Sequence, residues 1–389
     1  MKCLVCENEN LKFVLSLGNQ PLANSYHTGV VLPKYPLDLY HCSVCKHHQL
    51  GESVDPKEMF DEYAYVSGTS NTLRRYFEEY ADFVLGFSPT LPSVLEIACN
   101  DGTLLECFRN RGCADLTGID PAQNICKIAC EKGLSVVPKY WNSSTQRELG
   151  RAFDAVVAVN VLPHVPDPLV FLKSCRNALS PNGKLFVQTS QCTMFRDGEF
   201  DAIYHEHTSY FSAPSFYKLA ERAGMRVVHA DVVPIHSNSF RFVLQKGADG
   251  GTPSESLLEE VPYDSTTLAQ KAERTSKKFR SVLHDARAMG WTVVGYGAAA
   301  KGNTFLGYCE DAPEYIVDDN PLKVGLLTPG SNIPILSPTT LAADERPLLV
   351  IVLAWNFYKE IVERVHTLRR GATPTRVVRF IPKFEVTKF

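Results

Sequence analysis

Residues 94–120 read Val94-Leu95-Glu96-Ile97-Ala98-Cys99-Asn100-Asp101-Gly102-Thr103-Leu104-Leu105-Glu106-Cys107-Phe108-Arg109-Asn110-Arg111-Gly112-Cys113-Ala114-Asp115-Leu116-Thr117-Gly118-Ile119-Asp120. The pattern predicts a strand over 94–97, a small-residue loop over 98–102, a helix from Thr103 to about Arg111, and a second strand ending at Asp120. One acid, Glu96, closes the first strand and another, Asp120, ends the second, 24 residues on. In a parallel sheet this layout makes a pocket for a nucleoside with a charged tail, such as S-adenosylmethionine (SAM). There the loop backbone approaches the ligand and the terminal carboxylate accepts from both ribose hydroxyls. The candidate contacts are Glu96, Ala98, Asn100, Asp101, Gly102 and Asp120. A dinucleotide fingerprint needs three glycines in this turn, and only Gly102 stands there, which favours SAM over NAD. The plainer reading of the same residues is an α/β turn without a ligand.

Strands and helices alternate outward from this segment, from Pro92 to about Gln245. Ala152–Asn160 and Lys184–Thr189 read as strands, the latter after a Pro181-Asn182-Gly183 turn. Val227–Val233 and Ser239–Gln245 read as a pair joined by the Pro234–Asn238 turn. The region is doubly wound, and Asn160 falls at the tip of a central strand, at the edge where ligands of open α/β sheets sit.

A Gly-, Pro-, Ser- and Glu-rich stretch at 249–262 reads as a linker, followed by a helix from about Thr267 to Met289. A second α/β unit then begins at Trp291. It contains Gly295-Tyr296-Gly297-Ala298-Ala299-Ala300-Lys301-Gly302 and a strand ending Val317-Asp318-Asp319. Alone, this is a fair dinucleotide fingerprint, although a helix N-terminus beside a glycine turn takes any phosphate. Lys301 would add a charge for a diphosphate.

At the other end, Cys3-x2-Cys6 and Cys42-x2-Cys45 read as two knuckles whose four thiolates suit a tetrahedral structural Zn²⁺. His41, His47 and His48 flank the second knuckle as competing ligands. The 35 residues between the pairs make this a small module with an insertion. Its expected role is to staple a segment too small to bury its own core. Two reduced pairs without metal are the alternative. Residues 56–88 follow as a helical connector with an aromatic patch, Tyr63-Ala64-Tyr65-Val66-Ser67-Gly68.

Bulk properties exclude whole classes of function. The chain of 389 residues is 44% hydrophobic and 21% charged, with net charge −3. That describes a soluble globular protein of two or three domains. It leaves no basic field for nucleic acid or an anionic membrane. No apolar run approaches the roughly 20 residues that span a bilayer, and no signal peptide is visible. Eight of the 12 cysteines lie scattered in apolar or helical contexts, which fits a reducing cytoplasm.

The chemistry concentrates in Tyr204-His205-Glu206-His207-Thr208-Ser209-Tyr210-Phe211-Ser212, just past the Lys184–Thr189 strand. Histidine has its unperturbed pKa nearest neutral and is the first candidate for moving a proton. A solvated loop with capping hydrogen bonds is the alternative. His164, His236, Asn238 and Arg241 form a second rank.

With these motifs together, the chain resembles the sugar C-methyltransferase family of deoxysugar pathways, enzymes that place a branching methyl on C3 of a nucleotide-linked 4-keto sugar. The resemblance spans nearly the whole chain. It rests on Cys3/Cys6 and Cys42/Cys45 with Leu17-Gly18-Asn19-Gln20-Pro21-Leu22 between them, on Glu96-Ile97-x-Cys99-Asn100-Asp101-Gly102, and on Tyr204-x-Glu206-His207 with Phe211-Ser212. It continues through Gly295-Tyr296-Gly297-Ala298-x-Ala300-Lys301, Leu327-Thr328-Pro329-Gly330-x-x-Ile333-Pro334 and Ala354-Trp355-Asn356. The resemblance implies His207 as the base with Tyr204 and Glu206 close by, and an aromatic residue of the Tyr63/Tyr65 loop at the sugar. It implies a C-terminal unit that holds the nucleotide sugar jointly with the central domain, so the Gly295–Gly302 turn is not an NAD site. The ligand would be a nucleotide-diphosphate 4-keto deoxysugar, thymidine-linked (dTDP). Two departures stand out: Ala98 replaces the family's usual glycine, and Pro163 alters the strand exit before His164.

The expected architecture is therefore α/β. A zinc-binding module spans 1–58, a helical connector 59–90, and a doubly wound, Rossmann-like SAM domain 91–247. A linker and helix cover 248–290, and a Rossmann-like nucleotide-sugar domain covers 291–389. The expected site has His207, Glu206, Tyr204 and Tyr65 in catalysis. Glu96, Ala98, Asn100, Asp101, Gly102, Asp120 and Asn160 are expected at SAM, and Tyr63, His236, Asn238, Arg241, Lys301, Asn303 and Asn356 at the substrate. His207 would take the C3 proton, Tyr204 or an imidazole would donate to the C4 oxygen, and Glu206 would hold the histidine. An O- or N-methyltransferase, an NAD-dependent reductase or epimerase, and a zinc module docking RNA or protein are the rivals. A monomer in the cytoplasm is expected.

Overall fold

A computed structural model describes residues 1–61, 66–69, 71–88, 90, 92–371 and 373–389. Tyr63 and Tyr65 therefore lie outside the described residues. The central sheet runs Met225–Val233, Ser239–Lys246, Leu179–Thr189, Phe153–Val159, Val94–Ile97, Leu116–Ile119, Val136–Val137. From Leu179–Thr189 to Val136–Val137 its pairings are parallel, and Ser239–Lys246 joins antiparallel. Its middle strands are short runs of Val, Ile, Leu and Ala buried on both faces, the composition that parallel strands covered by helices require. The chain winds outward in both directions from Val94–Ile97 and Phe153–Val159, so the crevice opens between the C-terminal ends of those two strands.

The C-terminal unit repeats the plan. Its sheet runs Ile335–Leu336, Ile316–Val317, Thr292–Tyr296, Leu348–Val352, Thr375–Arg379, Glu385–Lys388, with only the last pair antiparallel. Its crevice opens beside Gly297 and Ala354. Gly297 is required there: its φ is +92°, and a Cβ would stand 2.5 Å from that of Ala354.

The N-terminal sheet is antiparallel, Leu11–Gln20, Tyr35–Cys42, His48–Leu50, and its fourth strand is Ser209–Tyr210. That last strand follows directly on the 204–208 loop, so the small module takes an edge from the central domain. Sequence spacing gives no sign of this, because a two-residue strand carries no period. The stretch 249–262, read as a linker, contains a helix at Glu255–Glu260 with Leu257 buried under it. The helix Leu268–Ala288 presents Leu268, Ala272, Phe279 and Leu283 to a core shared with Leu15 and Leu37 of the N-terminal sheet, Phe200 of the central domain and Phe305 of the C-terminal unit. One continuous apolar cluster thereby locks the three parts around a common centre. Among the described residues, no helix is long and apolar enough to cross a membrane.

Candidate active site and zinc centre

The two crevices open onto one cavity of about 800 Å³. From the central side it is lined by Glu96, Ala98, Asn100, Asp120 and Asn160, and from the C-terminal side by Lys301, Asp318, Lys323, Trp355 and Asn356. Tyr204, His207, His164 and His236 line it as well.

On the central side Asp120 ends its strand with Oδ2 accepting from Asn100 N and Oδ1 from Ala122 N, both at 2.9 Å. These bonds fix the carboxylate beside the loop and leave lone pairs for a diol. Glu96 is buried, and its Oε2 has no hydrogen-bond partner. Burial first, then Asp101 and Asp120, raise its pKa well above the carboxylate range. A dry, unmatched acceptor at the head of a nucleoside crevice suits a cationic ligand, so these residues fit SAM. Ala98 and Asn100 both hold left-handed backbone, with φ of 58° and 51°. Asn160 does the same at φ 55° and accepts from Gln188 Nε2 at 3.4 Å.

Two of the expected SAM residues instead shape the loop from behind. Asp101 pairs with Lys132 at 3.0 Å and accepts from Thr103 Oγ1. Gly102 has φ +74°, and a Cβ there would stand 2.3 Å from Leu134 Cδ1. Neither lines the cavity.

The 204–208 loop sits between the crevices. His207 Nδ1 lies 2.9 Å from the Ala202 carbonyl, which can only accept, so Nδ1 carries the proton. Nε2 is then the basic nitrogen, and the Tyr204 hydroxyl donates to it at 3.0 Å. Burial, with His164 and Lys301 adding to it, holds the His207 pKa well below the usual histidine value. The ring is therefore neutral and able to accept a proton. Glu206 does not make the expected bond to His207, whose ring nitrogens are both engaged elsewhere. Its carboxylate accepts from Asn24 Nδ2 at 2.5 Å. The Leu162–His164 turn carries Pro163 at its second position, within the first turn, where proline costs no bond. Its Pro163 carbonyl accepts from Thr208 Oγ1 at 3.1 Å.

Three expected substrate residues are held away from the cavity lining. Arg241 is taken up by Asp231 through Nε at 3.0 Å and Nη2 at 2.5 Å, and its guanidinium lies 3.5 Å over the Phe83 ring. Asn303 donates to the Ala23 carbonyl at 2.8 Å. Asn238 donates to Thr193 Oγ1 at 3.3 Å. Such contacts form between residues far apart in sequence, which spacing alone does not reveal. Lys301 faces the cavity with its ammonium 4.4 Å over the Trp355 ring. The cavity also takes in Tyr140, Trp141, Lys323 and Arg364, which sequence reasoning missed. Tyr140 and Trp141 follow the two-residue strand Val136–Val137, and recognising that strand would have pointed to them.

In the N-terminal module, Cys3 Sγ lies 3.5 Å from Cys45 Sγ and Cys6 Sγ 3.6 Å from Cys42 Sγ. All four sulfurs lie within 4.8 Å of one another. Tetrahedral Zn–S bonds of about 2.3 Å place sulfurs roughly 3.8 Å apart, so the four thiolates fit one structural Zn²⁺. Both knuckles fold alike: Glu7 N donates to the Cys3 carbonyl at 2.9 Å and Lys46 N to the Cys42 carbonyl at 3.0 Å. The histidines pack elsewhere. His48 stacks on Phe195 and meets Ser265 Oγ at 2.9 Å, while His47 lies against Phe211.

Three family models match along the chain: a zinc binding domain over residues 3–60, a methyltransferase domain over 72–230, and a C-methyltransferase C-terminal domain over 257–382. The C-methyltransferase NovU of Streptomyces niveus is 30% identical over 388 residues, covering 93% of this chain and 91% of that protein. The chain belongs to the C-methyltransferase family. This C-methyltransferase also matches a ubiquinone biosynthesis O-methyltransferase of Xanthomonas oryzae pv. oryzae, 39% identical over 101 residues, but over only 25% of this chain and 42% of that protein. Among solved structures, the magnesium protoporphyrin IX methyltransferase ChlM of Synechocystis PCC 6803 with bound SAM is 13% identical, with a TM-score of 0.35 over 45% of this chain and 79% of that one. The match over 93% of the chain is to a C-methyltransferase, and the O-methyltransferase likeness stops at a quarter of the chain. The enzyme's cofactors are SAM and structural zinc.

Proposed function

We propose that this C-methyltransferase places a methyl on C3 of a nucleotide-diphosphate 4-keto deoxysugar, dTDP-linked, acting as a cytoplasmic monomer. One observation carries the reading: both crevices share a single cavity, and the Tyr204–His207 pair lines it. The C-terminal crevice supports a nucleoside because Asp318 repeats the bonding of Asp120. Its Oδ2 accepts from Ala298 N at 2.7 Å and its Oδ1 from Asn320 N at 2.8 Å. Lys301 is the cation for the diphosphate.

A carbon nucleophile forms here only if the neighbouring ketone takes the charge. His207 Nε2 removes the C3 proton, with Nδ1 held by Ala202, and the freed pair moves into an enolate whose negative charge sits on the C4 oxygen. Tyr204 turns its hydroxyl from Nε2 to that oxygen and stabilises it. When bound, SAM supplies an electrophilic methyl on a sulfonium. Glu96, whose Oε2 has no partner, and the loop 98–100 are the residues that would hold it. By the family resemblance, Tyr65 acts in catalysis and Tyr63 contacts the sugar.

The test is mass spectrometry and proton NMR of product formed from SAM with a panel of nucleotide 4-keto sugars. A new methyl singlet on C3 is expected. A methyl on oxygen or nitrogen overturns the reading. A methyl on C5, the other carbon beside the ketone, keeps the enolate and corrects the position. Deuterium from solvent entering C3 without SAM checks proton removal by itself.

A further inference from the structure

The Leu17–Leu22 motif of the zinc-binding module has no part in the chemistry above, yet it packs against the C-terminal unit. A Cβ on Gly307 would stand 2.7 Å from Gln20 Oε1, and one on Gly330 would stand 3.1 Å from Pro21 Cγ. The residues that follow, Ala23 to His27, form a strap between domains. The Ala23 carbonyl accepts from Asn303 at 2.8 Å, and Tyr26 donates to the Ala298 carbonyl at 2.5 Å. His27 exchanges backbone bonds with Leu327 at 3.2 and 2.8 Å. Lys323 closes the strap from the far side, with its ammonium 5.0 Å over the Tyr26 ring and 2.7 Å from the Ala298 carbonyl.

This strap delivers one polar side chain, Asn24, into the cavity lining. Glu206 is buried behind it and does not line the cavity. The Asn24 nitrogen donates to Glu206 Oε1, which sets the amide orientation. Among the described residues Asn24 makes that one side-chain hydrogen bond. Its carbonyl oxygen and second amide hydrogen are left for a ligand.

We propose that Asn24 is a substrate-contacting residue supplied by the zinc-binding module, and that Glu206 is the positioning residue that orients its carboxamide toward the sugar. The inference rests on the nucleotide-sugar reading above. It assigns the module a share of the binding surface in addition to its folding role. A fixed acceptor and donor on one side chain match a sugar carbonyl or hydroxyl pair, and they would tell the sugar from the bare nucleotide.

The test is calorimetry on the zinc-loaded enzyme, with S-adenosylhomocysteine in place of SAM during the nucleotide titrations and two probes, dTDP and a dTDP-linked 4-keto-6-deoxyhexose; SAM is titrated separately. Asn24→Ala is expected to weaken the sugar nucleotide about tenfold, in line with loss of one or two hydrogen bonds. It is expected to leave dTDP and SAM binding within about twofold of wild type. Glu206→Gln should weaken the sugar nucleotide by less than about tenfold, since an amide can still accept. The double variant should be no worse than Asn24→Ala, because Glu206 acts through Asn24. If wild type binds the sugar nucleotide and Asn24→Ala binds it equally, or the two losses multiply, the inference is overturned. If Asn24→Ala weakens dTDP as much as the sugar nucleotide, Asn24 is a fold contact and the inference is overturned. If wild type binds no nucleotide sugar, the functional reading falls and takes this inference with it.

Discussion

The Tyr204 hydroxyl and His207 Nε2 stand 3.0 Å apart, while His207 Nδ1 is held by the Ala202 carbonyl at 2.9 Å. A histidine fixed in one tautomer, neutral and facing a cavity is set up to take a proton. General-base help is worth about 10²–10⁴-fold. His207→Ala is expected to lose that much in kcat and to keep its SAM affinity, read by calorimetry. Turnover near wild type would assign the base elsewhere. Tyr204→Phe should lower kcat as well, without moving the SAM affinity.

Ala98 carries left-handed backbone at φ 58°, where a Cβ crowds the following carbonyl by roughly 1–2 kcal/mol. Replacing it by glycine relieves that strain and costs about 0.5–1 kcal/mol of backbone entropy. Ala98→Gly is therefore expected to stabilise the fold by up to about 1.5 kcal/mol, read as a higher urea midpoint at unchanged slope. A lower midpoint would show that the methyl earns its place through packing.

Arg241 is among the polar residues expected at the substrate. In the fold it pairs with Asp231 and covers Phe83. Arg241→Ala should lower stability by about 1–3 kcal/mol through an uncompensated Asp231 and a lost cation–π contact. Its KM for the nucleotide sugar should stay within about twofold. Lys301→Ala, which faces the cavity, should instead raise that KM about tenfold through loss of a charge-assisted contact. Equal KM effects would place both or neither at the substrate.

What sequence made legible was the local chemistry. Strand–loop–helix–strand with terminal acids, paired cysteines and a histidine-rich loop each carry their own spacing. Long-range closure was not legible. Ser209–Tyr210 joins the N-terminal sheet, Asn24 reaches Glu206, and Arg241 turns to Asp231, and each depends on how three domains pack on one core. Asp101 and Gly102 show a second limit. Their motif marks a turn between strand and helix, but the pattern does not say which members touch a ligand and which hold the turn.

The four thiolates sit at zinc-binding distances, and the same module carries Tyr35, whose carbonyl accepts from His205 Nε2 at 3.2 Å. Metal loss should therefore reach the 204–208 loop. Chelation is expected to release zinc, lower the melting temperature and abolish turnover, with zinc restoring all three. Metal release measured with a chromogenic chelator, with the enzyme's activity unchanged, would confine the zinc to the module.

Glu199 gives the sharpest pH prediction. It is fully buried, one oxygen accepts from Ser237 Oγ, and the other has no partner. Burial pushes its pKa up to about 7, with Lys301 opposing the rise. Its unfolded value is about 4.3. Between these values the native state holds a proton that the unfolded state has lost, so stability falls as pH rises through the window. The penalty is complete above the folded value and amounts to at most about 4 kcal/mol. Glu199→Gln keeps an oxygen for Ser237 and removes the titration. The variant should exceed wild type in denaturant midpoint at about pH 8, and the two should converge near about pH 5. A difference that stays constant with pH would mean that Glu199 is already ionised in the native state, with Lys301 compensating its burial.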